Sequence, residues 1–139
     1  MSLQVYLAIS LGMGVQDHHA ILVDSPTLDG SSPDASLGHI YQVTGNIQSG
    51  MAYEHRPARE DDISLGRRLL GTVEHSDLER FELICQGVPP PRKQFDGPRR
   101  MYPREPLRRC QEWVKDALDA LRTEGVLQEL GSDGPNGKS

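Results

Sequence analysis

Leu107, Cys110, Val114, Ala117, Leu118 and Leu121 recur at spacings of three and four, which places all six on one stripe of a helix. A stripe of this kind holds a helix in place only when an apolar surface covers it, so the rest of the chain must supply that surface. The spacing predicts a helix over 103–121, with Pro106 suited to its first turn and Gly125 ending it.

The covering surface is legible upstream as strands. Leu3, Val5, Leu7, Ile9 and Leu11 alternate with Gln4, Tyr6, Ala8 and Ser10, the period of a half-buried strand, and Gly12-Met13-Gly14 turns the chain. Branched residues predict a second strand over 18–23, and a third follows over 39–44 after a Ser-, Asp-, Pro- and Gly-rich loop over 24–38. Ile47, Met51 and Tyr53 mark a further strand within 46–55, with Gly50 as a bulge or turn. Residues 61–70 read as a short helix or turn, and 72–75 as the beginning of a strand. Over 78–85, Phe81, Leu83 and Cys85 share one face of a period-two pattern, and Pro89-Pro90-Pro91 stops any regular element. Residues 126–130 add a short turn or strand. The expectation is an α+β fold, a small antiparallel sheet packed against a C-terminal helix that bears a cysteine. With 139 residues there is room for a single domain, placed at 1–130, and 131–139 has the composition of a disordered tail.

Charge narrows the function classes. The net charge is −5, yet residues 1–55 hold five acids and no Lys or Arg, so 15 acids and 15 bases cancel over the remainder. That balance argues against a dedicated nucleic-acid binder. The apolar run over 3–15 lacks the positive start of a secretory signal and is too short to span a bilayer, so a cytoplasmic protein is expected. Two cysteines, Cys85 and Cys110, build no disulfide framework, and each is expected as a free thiol.

A cysteine nucleophile needs an imidazole nearby and gains from a helix N-terminus, whose dipole favours the thiolate. Cys110 sits about one turn into the predicted helix and meets the second condition. The plain alternative is a small apolar residue on a buried stripe, since free cysteine is among the most buried residue types. Of His18, His19, His39, His55 and His75, the pair His18-His19 is informative because it opens a strand directly after a glycine turn. Neighbours on a strand point to opposite faces, so one of the two can meet the helix. That divergence also argues against zinc, and no Cys-x-x-Cys or His-x-x-x-His spacing is present. No phosphate-loop or dinucleotide fingerprint occurs either, so no cofactor is expected. Cys85, on an apolar strand face, is expected to be a buried thiol that serves packing.

Three segments resemble the permuted papain-like thiol enzymes, the group of the lecithin retinol acyltransferase-like and NlpC-type families. They are His18-His19-Ala20-Ile21-Leu22-Val23, Tyr41-Gln42-Val43-Thr44-Gly45 and Cys110-Gln111-Glu112-Trp113-Val114. The last is similar to the family pattern Asn-Cys-Glu-His-Phe-Val, with Arg109 at the Asn position and Trp113 at the Phe position. In permuted members histidine precedes cysteine, as His18 precedes Cys110 here. Superposing Ala20 on the family's alanine puts His18 at the catalytic position. The third polar residue, commonly histidine, is Gln42, whose amide oxygen can orient an imidazole without supplying charge. His39, three residues from Gln42, falls on the other face of its strand. The resemblance implies a thiol-dependent hydrolase or acyltransferase, with Cys110, His18 and Gln42 as its catalytic residues. Its substrate is a small-molecule or peptide acyl compound, an amide, ester or thioester.

A second reading keeps the same fold as a non-catalytic binding module. Between residues 92 and 109, Arg92, Lys93, Arg99, Arg100, Arg104, Arg108 and Arg109 stand against Asp96 and Glu105. That stretch either contacts an anionic ligand or lies solvated, its arginines paired with the acids of residues 1–55.

Overall fold

The alternating segments become adjacent strands of one antiparallel sheet. The structure, a computed structural model, describes residues 2–11, 17–24 and 38–129. The Gly12-Met13-Gly14 turn, most of the 24–38 loop and the 131–139 tail lie outside these. Strands β1 (Ser2–Ser10), β2 (His18–Asp24), β3 (Gly38–Asn46) and β4 (Gly50–Pro57) pair in chain order, and β5 (Gly66–Glu74) joins the free side of β1. A two-residue β8 (Gln128–Glu129) closes the row, giving the order β4-β3-β2-β1-β5-β8. It pairs with β5 at Gly71, where a Cβ would lie 2.1 Å from the Gln128 carbonyl oxygen, so only glycine admits the contact.

Alternation divides the sheet into two faces. Leu3, Val5, Leu7, Ile21, Val23, Tyr41, Val43 and Val73 form one core with two helices, α1 (Leu78–Gly87) and α2 (Cys110–Thr123). On the other face Ala8, Ala20, Leu22 and Ile40 pack with Ala58, against which Ile63 of a 3₁₀ turn, Glu60–Ile63, is partly buried. Five of the six anticipated stripe residues, Cys110, Val114, Ala117, Leu118 and Leu121, are buried on α2 with Trp113 beside them, whereas Leu107 precedes the helix and is half-buried. The fold is thus α+β with its helices against an antiparallel sheet. Among the described residues no helix is long and apolar enough to cross a membrane.

Four elements differ from the sequence reading. Residues 78–85 are helix, not strand. Phe81 and Cys85, four apart, are buried together, whereas Leu83 is 60% exposed, which a shared strand face would not allow. The 3₁₀ turn ends at Ile63, and pairing with β1 draws residues 66–70 into β5, overriding their local turn character. A small ribbon, β6 (Phe95–Asp96) and β7 (Arg99–Arg100), stands where no element was anticipated. Finally, α2 starts at Cys110 and not near Pro103. The buried Gln94 side chain holds the preceding segment out of the helix, accepting from Arg108 N–H and donating to the Arg108 carbonyl, each at 2.8 Å.

Candidate active site

Starting the helix at Cys110 has a chemical consequence. Arg109 caps it in extended conformation, its N–H bonded to the Glu112 carboxylate at 2.5 Å, and the first intrahelical bond runs from Trp113 N–H to the Arg109 carbonyl. Cys110 is therefore the first helical residue, where unpaired N–H groups and the helix dipole favour a negative sulfur. Trp113, 1% exposed, anchors this end through its indole N–H to the Val88 carbonyl at 3.0 Å.

The thiol meets the sheet where two strands part. The β2–β3 register runs from Asp24↔Gly38 to Ile21↔Tyr41 and stops there, while His18 and His19 continue to pair with β1. At this place the His19 N–H donates to Cys110 Sγ at 3.5 Å. Gln111 ties the same corner together, its side-chain amide donating to the Asp17 carbonyl just before β2. By alternation His18 belongs with Ala20, on the face away from the α2 stripe, and so does Gln42 with Ile40. His18 thus reaches the thiol at the strand end, where the helix start meets the sheet, and not across the helix-covered face.

One line of polar groups runs away from the sulfur. The thiol donates to Gln111 Oε1 at 3.5 Å, and the His18 ring beside it lies, through Nε2, 2.7 Å from Gln42 Oε1. Gln42 Nε2 donates to Glu54 Oε1 at 2.6 Å. Because the carboxylate accepts, the amide oxygen is the end that faces the imidazole. Hydrogen bonding to Cys110 is the largest influence on His18 and raises its pKa against the opposing effect of burial, with Gln42 adding to the rise. Burial pushes the Cys110 thiol up, but hydrogen bonds from the His18 ring and the His19 N–H, together with the His18 charge, hold it below the ordinary thiol value. His19 is shifted the other way, chiefly by burial. The neighbouring histidines are therefore split, and the one beside the sulfur is the one inclined to carry charge.

The three residues named from the sequence, Cys110, His18 and Gln42, come together. Glu54 was missed, although a signal existed. A hairpin centred on Gln48 pairs residues equally distant from it, and this sets Gln42 opposite Glu54. Gln111 has no comparable local signal, because its partner lies 94 residues away in sequence. His39 stands apart with His55, 2.9 Å from it, and His55 in turn meets Glu82 at 2.7 Å. Cys85 is fully buried, and burial lifts its thiol to about 12.

Among the described residues, the partners of the 92–109 arginines lie close by in sequence and not among the acids of residues 1–55. Arg92 binds Glu105 at 2.8 Å and lies over the Tyr102 ring, Arg100 donates to the Glu105 carbonyl, and Arg108 binds Asp116. Short-range partners along the same segment win because they need no long loop closure. Among the described residues no group of three or more His, Cys, Asp or Glu side chains is placed to hold a metal ion.

The match that places the chain spans residues 5–128, from β1 to β8. It belongs to the DUF6540 family, a family of unknown function. The matched region contains His18, Gln42, Glu54 and Cys110, and it brings no activity with it. No curated protein and no solved structure matches the chain.

Proposed function

We propose that this protein is a thiol-dependent hydrolase or acyltransferase on a permuted papain-like fold, acting on an amide, ester or thioester through an acyl-cysteine. The observation that carries the reading is the line Cys110, His18, Gln42: a thiol at a helix N-terminus beside an imidazole whose far nitrogen is held at 2.7 Å by an amide oxygen. A neutral amide fills this orienting role in other Cys-His sites.

The steps follow from those positions. The Cys110 thiol gives its proton to His18 Nδ1, and the sulfur attacks the substrate carbonyl carbon. The developing oxyanion is met by the Cys110 N–H at the start of α2. As the bond to the leaving amine, alcohol or thiol breaks, His18 returns the proton to it, leaving an acyl-cysteine. Water, or an acceptor amine or alcohol, then loses a proton to His18 and attacks the acyl carbon, and that proton returns to the sulfur as the thiol is freed.

Alkylation of the native protein with iodoacetamide across pH tests the reading. Cys110 should react as a low-pKa thiolate, and His18→Ala should remove that reactivity. Titration of Cys110 near 8.5, unchanged by His18→Ala, sinks the proposal.

A further inference from the structure

Gln42 is 3% exposed, and the two ends of its amide differ in kind. The oxygen only accepts and the nitrogen only donates, so whichever end meets His18 decides which ring nitrogen keeps the proton. With the nitrogen toward His18, Nε2 would have to accept, and the proton would move to Nδ1 and block the position the thiol needs.

Glu54 removes that alternative. Its Oε1 lies 2.6 Å from Gln42 Nε2, and a turned amide would set two acceptors against each other. Glu54 is held in turn by Arg56, whose Nε lies 3.5 Å from the same oxygen. The Arg56 guanidinium is fixed by a fork on Asp62, at 2.6 and 2.8 Å. That ion pair ties the carboxylate to the Arg56–Asp62 fork.

We propose that Glu54 is the positioning residue of the site: it locks the Gln42 oxygen toward His18, keeps the ring proton on Nε2 and leaves Nδ1 to take the Cys110 proton. The inference rests on the thiol–imidazole reading for its consequence, although the lock itself concerns only His18, Gln42 and Glu54.

The test reads two quantities. The His18 tautomer is recorded by ¹⁵N chemical shifts in a Cys110→Ala background, where the sulfur no longer favours imidazolium. The Cys110 alkylation rate with iodoacetamide is measured in proteins that retain the thiol. Glu54→Lys presents a donor, so it should draw the amide oxygen away, move the proton to Nδ1 and slow alkylation at neutral pH about tenfold or more. Glu54→Gln, nearly isosteric and safer for folding, loses the bias and should give mixed tautomers with a roughly threefold slower rate. Exchanging the pair, Gln42→Glu with Glu54→Gln, restores an acceptor at 42 and a donor at 54, and should recover the Nε2–H tautomer and the rate. Retention of that tautomer in both Glu54→Lys and Glu54→Gln overturns the inference. Wild-type alkylation in His18→Ala would instead refute the thiol–imidazole reading, with the tautomer still deciding for or against Glu54.

Discussion

Cys85 and Cys110 are both buried in the same core, both on helices packed against the same sheet, yet their thiols are displaced in opposite directions. Burial raises both. Cys110 begins α2, where its own N–H and that of His19 bond the sulfur and His18 stands beside it, and these outweigh the burial. Cys85 lies in the last turn of α1, which ends at Gly87, and its charged neighbour is the Glu82 carboxylate, so each further influence adds to the burial. Position on the helix and the sign of the neighbour thus set two buried thiols on opposite sides of the ordinary value.

The largest test of that contrast is removal of each sulfur. Cys110→Ala should abolish covalent catalysis and all labelling of the native protein near neutral pH, whereas folded Cys85→Ala should keep both, as read by the mass of the single adduct. Loss of chemistry in Cys85→Ala would assign the roles the other way. Next in size, His18→Ala should slow Cys110 labelling at neutral pH by about 100-fold and move its titration up toward that of an ordinary thiol. Gln42→Leu, which has no acceptor, should slow it less, and Gln42→His should preserve it, since a ring nitrogen can accept the same bond. Equal rates in wild type and both folded Gln42 variants would reduce the site to the Cys110–His18 pair.

The parts of this contrast were not equally legible. The α2 stripe and the β1 alternation extend over several repeats, so periodicity alone assigns a helix and a strand; both elements stand, but Leu107 precedes α2, and in β1 the alternation ends at Leu7, since Ala8 and Ser10 are buried too. His18 over His19 came from alignment with a family pattern. The structure puts His18 beside Cys110 for a reason that pattern does not contain, the ending of the β2–β3 register at Ile21↔Tyr41. The start of α2 was misplaced because the Gln94 clamp that delays it comes from residues well before the helix. Residues 78–85 were ambiguous in principle: Phe81, Leu83 and Cys85 fit a period of two, while Phe81 and Cys85 alone fit a helical turn. Only the exposure of Leu83 separates the two readings, and exposure is set by packing that no local pattern encodes.

Alkaline stability sharpens the comparison from the other cysteine. The Cys85 thiol is raised from 9.0 to about 12, so above pH 9 the unfolded chain releases a proton that the folded chain retains. Folding then weakens as pH rises, by up to about 1.4 kcal/mol per pH unit from this one group until the folded thiol ionises. Tyr41 and Tyr53, both raised chiefly by burial, steepen the same loss at higher pH. Cys85→Ala should cost about 1 kcal/mol at pH 7, through the lost contacts of the sulfur, and yet fall less steeply than wild type above pH 9 in denaturant unfolding. Parallel curves for the two proteins would show that Cys85 ionises as readily folded as unfolded.

The smallest effect belongs to Leu83, and it probes whether Cys85 owes its burial to a helix. On a strand, Leu83 would share the buried face with Phe81 and Cys85, and a charge there would cost several kcal/mol, about as much as any core disruption. On α1 it points away from both, 60% exposed. Leu83→Lys should therefore change unfolding free energy by no more than about 0.5 kcal/mol, while Phe81→Ala should lose about 3–5 kcal/mol. The substitution should also leave the Cys85 thiol unreactive in the native protein, because the sulfur lies on the other side of the helix. A large loss in Leu83→Lys, or Cys85 becoming open to alkylation, would break the contrast at its root, since the inert thiol would then depend on a face that Leu83 shares.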